Sequence, residues 1–194
     1  MVTPLHRASR RGHIDAMQLL IEHGADVNKK GKLESTPLHR ASRHGYTNAM
    51  QLLIGADADI NKKNKYGYTP LHRASSGGHT RAIKLLIGHG ADVNEKDKWG
   101  RIPIHLASHK GHTDAIQLFI DMGMDVNAKS NRGWTPLHYA SYKGHINVIR
   151  LLIDADANID EKDNEGYTSL REASHMGHTD AVELLKDHGA QEYN

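Results

Sequence analysis

The sequence predicts an all-α solenoid of stacked helix–turn–helix repeats, and three observations support this class. The pattern Thr3-Pro4-Leu5-His6 recurs, unchanged or varied, at positions 36, 69, 102, 135 and 168. These starts are 33 residues apart with no insertion, a period typical of repeat architectures. The hydrophobic fraction is 38%, yet there are only seven Tyr, two Trp and one Phe, so the core must consist of thin aliphatic layers.

The elements of one repeat follow in chain order from local signals. Thr is a good N-cap and Pro is favoured at the first helical position, so the first helix begins at Pro4 and is expected to end at Gly12. A second helix follows and closes at Gly24. Its apolar stripe at helical spacing consists of Ala16, Leu19 and Leu20. A polar, Gly-containing segment such as residues 65–68 predicts a short β-hairpin finger with a β-turn at its tip.

Five residues depart from this template. Asp57 and Asp156 occupy the position at which Gly closes the second helix, where a left-handed conformation is costly for a residue with a side chain. Ile102 replaces the capping Thr of the fourth repeat. Gly31 and Glu34 disturb the second finger, which lies directly before the Thr36 motif. Neither helix of a repeat can bury its apolar stripe alone, so neighbouring repeats must stack to form the core.

At these motifs the sequence resembles the ankyrin repeat family. The motifs are the Thr-Pro-Leu-His opening, a Gly-His in the middle of the repeat, and Gly-Ala-Asp-Val-Asn at 24–28 and 90–94. The resemblance covers residues 3 to about 190 and implies one domain, 1–194, with repeats at 1–35, 36–68, 69–101, 102–134, 135–167 and 168–194. It also implies that the first helices and the finger tips form a concave groove for a partner.

Charge divides the chain into a basic and an acidic half. Residues 1–101 contain 17 Lys/Arg and 9 Asp/Glu, whereas residues 102–194 contain 8 and 14. Such a charge asymmetry indicates which molecules the protein associates with and not which fold it adopts. The basic half predicts a partner with an acidic segment. The chain has no Cys, no apolar run of membrane-spanning length and no export signal at its start, which favours a cytoplasmic or nuclear location over secretion.

The sixteen His do not predict a metal site. Ten occupy two template positions, the Thr-Pro-Leu-His tetrad and the mid-repeat Gly-His, where structural hydrogen bonds are expected. Three that fall outside the template lie one per repeat and are His44, His109 and His175. No catalytic triad, metalloprotease motif, phosphate loop or dinucleotide fingerprint is present. The sequence therefore predicts a non-catalytic protein with no metal, no cofactor and no small-molecule substrate.

Arg and aromatic residues outside the packing template are the candidate partner-binding residues, since these types dominate interface hot spots. On the first helices they are Arg7, Arg10, Arg40, Arg43, Arg73, Tyr139 and Tyr142. On the fingers they are Tyr66, Tyr68, Trp99, Arg101, Arg132 and Trp134. The aromatic rings are expected on the surface, although those directly before the capping Thr, such as Trp134, can instead cover the finger.

These features predict a monomeric scaffold or adaptor that binds another protein, through an acidic or extended segment, in the groove. One alternative is binding of nucleic acid or another anionic surface through the basic half, and a second is an engineered scaffold with no natural ligand. Membrane insertion is not predicted. The resemblance further implies that an asparaginyl hydroxylase would modify Asn28, Asn61 and Asn94, each of which has a Leu eight residues earlier.

Overall fold

Twelve α-helices, paired as six helix–turn–helix units, lie within residues 2–191, which are the residues that the computed structural model describes. The chain divides into two compact units, Met1–Lys98 and Trp99–Asn194. In unit 1 the helices are α1 (Pro4–Arg11), α2 (Ile14–Glu22), α3 (Pro37–His44), α4 (Thr47–Gly55), α5 (Pro70–Ser76) and α6 (Thr80–Gly88). In unit 2 they are α7 (Pro103–Lys110), α8 (Thr113–Asp121), α9 (Pro136–Lys143), α10 (Ile146–Asp154), α11 (Ser169–His175) and α12 (Thr179–Asp187). The all-α class is confirmed, whereas a single domain over 1–194 stays a prediction.

The first helix of each repeat begins where the Thr-Pro-Leu-His motif predicts. The Thr36 hydroxyl accepts the backbone N–H of His39 at 3.5 Å, and Nδ1 of His39 accepts the N–H of Thr36 at 3.1 Å. This reciprocal capping satisfies two donors that a helix end leaves free. Ile102 has no hydroxyl, so the N–H of His105 donates instead to the Ile102 carbonyl at 3.0 Å. The Ile102 side chain is buried, which replaces the missing hydrogen bond by apolar contact.

Helix ends also follow the prediction. Gly12 ends α1 with φ of 69°, in the left-handed region. Asp57 and Asp156 adopt φ of 64° and 61° at the closing position of the second helix, as expected from their place in the template. These two Asp residues therefore carry the steric cost that Gly avoids there.

Packing within each unit runs from repeat to repeat. In unit 1, α1 packs on α3 and α3 on α5, and the second helices follow the same order. In unit 2, α9 packs on both α7 and α11. The side chains of Leu38, Met50 and Leu53 are fully buried in unit 1, as are those of Ile116 and Phe119 in unit 2. Both cores lie between helices and are mainly aliphatic, as the scarcity of aromatics predicted, although unit 2 also buries Phe119.

The apolar stripe predicted for the second helix of the first repeat is wrong. Ala16 is exposed and Leu19 is 58% exposed, whereas Met17, which the prediction did not include, is fully buried. The equivalent of Ala16 in the next repeat, Ala49, is fully buried. The difference arises because α4 has α2, the second helix of the preceding repeat, packed against it, whereas within residues 2–191 no second helix of an earlier repeat lies before α2.

The prediction that the fingers are β-hairpins is also wrong, because residues 2–191 contain no β-strand. A typical finger is a turn in which the N–H of Asn64 donates to the Tyr68 carbonyl at 3.0 Å. The amide oxygen of Asn64 also accepts the backbone N–H groups of Tyr66 and Tyr68, at 2.9 and 3.1 Å. The N–H of Lys65 then donates to the carbonyl of Leu33 in the preceding finger at 2.9 Å. So few bonds between fingers do not build a strand ladder.

The finger of residues 31–35 is distorted, as its sequence predicted. Gly31 has no amide side chain to hold the turn in the way that Asn64 does. The segment Lys32–Glu34 forms one 3₁₀ turn in which Leu33 and Glu34 have φ of 60° and 56°. A larger residue at 31 would not restore the regular turn, because its Cβ would lie 2.6 Å from Nε2 of His6.

Candidate partner-binding surface

Six Arg side chains are carried by α1, α3 and α5, the first helices of unit 1, and five of them are predicted partner-binding residues. This set is called the arginine face and consists of Arg7, Arg10, Arg40, Arg43 and Arg73. Within residues 2–191, no carboxylate lies within ion-pair distance of any of the five. The consecutive packing of α1, α3 and α5 therefore displays a row of cations without counter-charges.

Arg40 and Arg73 are held in place, whereas the other three are exposed. The Nη2 group of Arg40 donates a hydrogen bond to the Lys32 carbonyl at 3.2 Å. The guanidinium of Arg73 lies 4.4 Å above the ring of Tyr68 in a cation–π contact. Both side chains are half-buried, so they are not simply solvated charges on a helix exterior.

Mutual repulsion is visible in the electrostatics of the arginine face. Burial lowers the pKa of Arg40, and the neighbouring charges of Arg10 and Arg43 lower it further. Burial likewise lowers the pKa of Arg73, and among the charges around it Tyr68 raises the pKa while Arg43 and Arg40 lower it. Arg stays protonated in proteins despite such shifts, so the row keeps its full charge. An anion placed across it would relieve this repulsion.

The predicted finger aromatics of unit 1 are half-buried beside these cations. The rings of Tyr66 and Tyr68 lie 6.3 Å apart at a tilt of 56°. Tyr68 also contacts the ring of His72 at 5.8 Å. These contacts leave part of each ring accessible next to Arg73, which is the combination of aromatic and Arg that interfaces favour.

Three of the predicted finger residues of unit 2 remain accessible. Trp99 is 46% exposed, and the guanidinium of Arg101 lies 4.6 Å from its ring centre. Arg132 is exposed at the tip of the next finger. Their exposure agrees with the prediction.

The predicted exposure of Tyr139 is wrong. Its side chain is only 8% exposed, and its ring contacts Trp134 at 5.0 Å, His105 at 5.5 Å and His109 at 6.0 Å. Trp134 also contacts Tyr142 at 5.4 Å, and both are half-buried. We call this set, Trp134, Tyr139, Tyr142, His105 and His109, the aromatic cluster. Edge and tilted ring contacts of this kind stabilise the fold, so the cluster covers its own apolar surface.

A polar bond fixes the aromatic cluster to the next finger. The indole N–H of Trp134 donates to a carboxylate oxygen of Asp163 at 2.9 Å. His109 lies at the rim of the cluster, and its Nδ1 is buried without a hydrogen-bond partner in the described part of the chain. Burial, followed by the charge of Lys143, lowers the pKa of His109 to about 4, so its imidazole is neutral at physiological pH.

The template His residues form the structural hydrogen bonds that were expected. Nε2 of His39 bonds the carbonyl of Tyr68, the last residue before the capping Thr of the following repeat, at 2.8 Å, and Nε2 of His138 bonds that of Tyr167 at 3.0 Å. Mid-repeat His145 bonds the carbonyl of His109 in the preceding repeat at 3.1 Å. Among residues 2–191, no three His or carboxylate side chains are grouped so that they could hold a metal ion.

The Asn residues implied as modification targets are structural in unit 1. The amide of Asn28 donates to the Asp57 carbonyl at 2.9 Å and accepts the N–H of Asp59 at 2.7 Å. Asn61 makes the same pair of bonds to the next repeat, at 3.1 and 3.0 Å. Hydroxylation of Asn28, Asn61 and Asn94 stays a prediction, and an enzyme acting on the first two must accommodate or break these bonds.

One side chain that the sequence analysis did not select is Glu172 on α11. It occupies the template position of Arg40 and Arg73, yet it is acidic and only 8% exposed. It lines a cleft of unit 2 together with Tyr167, Arg171 and His175. The available signal was the reversal of charge at a position that is basic in all three repeats of unit 1.

Comparisons with known proteins agree with the repeat architecture. A family model described as ankyrin repeats (3 copies) matches residues 2–64, 38–130, 71–163 and 122–194. No curated protein matches the chain significantly. None of the helices within residues 2–191 combines the length and hydropathy needed to cross a bilayer. Ankyrin repeats are in general protein–protein interaction modules and typically non-catalytic. The motif, the helix pairs and the match over the whole length together show that this chain belongs to the ankyrin repeat family.

Proposed function

We propose that this protein is a non-catalytic adaptor whose arginine face binds an acidic segment of a partner protein. The observation that carries the proposal is the row of cations without counter-charges on α1, α3 and α5. Like charges held close together weaken the folded state, and a ligand that neutralises them recovers this loss on binding. Such a surface favours a polyanionic partner over a neutral one.

Geometry favours an extended or helical acidic segment. Packed helices lie roughly 8–10 Å apart, so Arg7, Arg40 and Arg73 form a row with about that spacing. Every third residue of an extended segment in the polyproline II conformation, or every seventh of a helix, repeats at about 10 Å on one face. Carboxylates at that period match the row, and the planar guanidinium fork binds each of them in bidentate fashion. The accessible parts of Tyr66 and Tyr68 supply apolar contacts beside Arg73.

Nucleic acid is the alternative anionic ligand. Phosphate contacts alone give salt-dependent binding, and tight binding of single strands also uses aromatic rings on which bases stack. The arginine face of the first two repeats consists of Arg without interleaved rings, and residues 102–194 carry a net charge of −6. These features favour the acidic protein segment. An engineered scaffold without a natural ligand would carry the same row of cations but bind no such segment selectively.

The test measures the affinity of the full chain for a fluorescent peptide of about 12 residues with Glu at every third position. A second peptide of the same composition has its Glu residues in one block. The spaced peptide should bind more tightly, and Arg40→Ala with Arg73→Ala should weaken its binding by about 2–5 kcal/mol, because Arg–carboxylate pairs become desolvated in the complex. Equal affinity for the two peptides would contradict the proposed register.

The matched control is Arg81→Ala with Lys84→Ala. Both residues are exposed on α6 of unit 1, outside the arginine face, and their loss changes the net charge by the same amount. The control should weaken binding by less than about 0.5 kcal/mol, because distant exposed charges are screened by salt. Competition by duplex DNA separates the alternative function. Displacement of the spaced peptide by duplex at equal or lower concentration would overturn the proposal in favour of nucleic-acid binding.

A further inference from the structure

A small cleft in unit 2 contains a carboxylate whose side chain is largely buried. The cleft has a volume of about 130 Å³ and is lined by Tyr167, Arg171, Glu172 and His175. A cavity of only about 10–15 Å³ holds one water, so this one admits a group of several atoms. Glu172 lies on α11 with only 8% of its surface exposed, and it is the most buried of the charged side chains that line the cleft.

Within residues 2–191, the carboxylate of Glu172 forms no hydrogen bond and no ion pair. The nearest cation in sequence, Arg171, places its guanidinium 4.0 Å above the ring of Tyr167 and not on the carboxylate. His175, one turn further along α11, is exposed and outside ion-pair distance. Buried carboxylates are normally paired, because an isolated one loses its hydration without compensation. Glu172 is thus an acceptor for which residues 2–191 provide no donor.

The surroundings of this carboxylate are acidic. Burial raises the pKa of Glu172, and the charges of Asp163 and Glu165 contribute in the same direction. His175 and Arg171 oppose the shift. Asp163 is already engaged, since it accepts the indole N–H of Trp134 and the backbone N–H groups of Glu165 and Tyr167. The negative field at Glu172 is therefore open to a cation from outside the molecule.

We propose that Glu172 is a subsite for a cationic side chain, the guanidinium of Arg or the ammonium of Lys, contributed by a partner protein. The carboxylate accepts the hydrogen bonds of the cation, and the ring of Tyr167 forms an apolar wall for its aliphatic stem. A guanidinium fits best, because its planar fork can bond both carboxylate oxygens. This subsite is independent of the arginine face, and it selects the opposite charge at the same template position.

The test is an NMR titration of the full chain, labelled at Glu side-chain carboxyl carbons, with Nα-acetyl-arginine methylamide at constant ionic strength. The Glu172 carboxyl signal and the Tyr167 amide signal should shift saturably. The pKa of Glu172 should fall when the probe is present, because a bound cation favours the charged carboxylate. Nα-acetyl-citrulline methylamide, which has nearly the same shape but no charge, should bind at least about tenfold more weakly.

Two variants separate the subsite from nonspecific attraction. Glu172→Gln keeps the shape of the side chain and should abolish the saturable shift at Tyr167. Glu183→Gln removes an exposed carboxylate on α12 of the same unit and should leave the shift within about twofold of wild type. The lysine analogue of the probe distinguishes an ammonium from a guanidinium ligand. Equal binding of the citrulline probe, an unchanged shift in Glu172→Gln, or no saturable shift with either cation would overturn the proposal.

Discussion

The two units place different side chains at the same position of their first helices. In unit 1 this position holds Arg40 and Arg73, which are half-buried and lack a carboxylate partner. In unit 2 it holds Tyr139, which is buried against Trp134, and Glu172, which is buried without a partner. The helix starts and the spacing are nevertheless the same in both units. The framework of the repeat therefore does not determine the chemistry of the side chain at this position.

The chemistry of the side chain decides which role it takes. An aromatic ring gains free energy when neighbouring rings remove it from water, so Tyr139 becomes part of the fold. A guanidinium gains little from burial without a counter-charge, so Arg40 and Arg73 stay at the surface, where a partner can neutralise them. Truncation of the side chain at this position should therefore lower the stability of unit 2, whereas in unit 1 it should weaken the binding of a partner and leave stability almost unchanged.

The largest expected effect is that of Tyr139→Ala. This change removes a buried ring from the aromatic cluster and should lower the free energy of unfolding by about 3–5 kcal/mol. Urea unfolding followed by far-ultraviolet circular dichroism measures both units, because each contains six helices. The control is Arg40→Ala at the same template position, which should change stability by less than about 1 kcal/mol. Equal losses in the two variants would remove the distinction between the units.

Acid should destabilise both units through buried neutral imidazoles. Burial lowers the pKa of His39 in unit 1 to about 4, below its ordinary value of 6.5, although its bond to Tyr68 opposes the shift. The unfolded chain then takes up the proton first, so the stability is complete above pH 6.5 and is lost as the pH falls from 6.5 towards 4. The loss from this one residue is at most roughly 3 kcal/mol. In unit 2, the lowered pKa of His109 acts in the same direction.

Urea unfolding measured from pH 7 to pH 4.5 checks this expectation. The variant His39→Gln keeps a residue that suits the third position of a capping box but does not titrate. It should be less stable than wild type at pH 7 and show a shallower decline between pH 6.5 and 4.5. An unchanged slope would mean that His39 does not contribute to the acid sensitivity of unit 1.

Within unit 1, the first repeat should open more easily than the second. Ala16 and Leu19 are exposed in α2, whereas the equivalent Ala49 is fully buried in α4. We expect amide hydrogens in residues 14–22 to exchange at least about fivefold faster than those in residues 47–55, because less apolar contact holds them. Equal protection of the two segments would indicate that unit 1 opens as one cooperative block.

The smallest expected effect compares one position shared by both units. Asp57→Gly in unit 1 and Asp156→Gly in unit 2 should each raise the free energy of unfolding by about 0.5–1 kcal/mol, because each Asp has φ above 60°. Thermal melts measure both changes, and Gly90→Ala, which places a side chain at the equivalent residue with φ of 88°, should act in the opposite direction. Destabilisation by both Asp→Gly changes would show that neither site is strained.

The local framework could be predicted because it depends on contacts between residues close in sequence. Thr36 and His39 are three residues apart, and their reciprocal capping needs only one turn of helix. The left-handed conformation of Asp57 likewise follows from its place after a helix. The fingers were predicted less well, since a β-turn and a β-hairpin share the same local signals and differ only in bonds to neighbouring fingers.

The sequence by itself determined the family, the helix positions and the row of cations, because each is set by a period of 33 residues and by local hydrogen bonding. Only the tertiary structure decided which side chains at this template position stay exposed to water and which become buried. Tyr139 looked exposed because its position faces away from its own helix pair, but rings from other repeats cover it. Glu172 was not selected from the sequence, and only packing shows that its side chain is 8% exposed in a cleft and that it has no hydrogen-bond donor within residues 2–191. The burial of a side chain depends on contacts with residues that are distant in sequence, and the repeat period does not specify which residues these are.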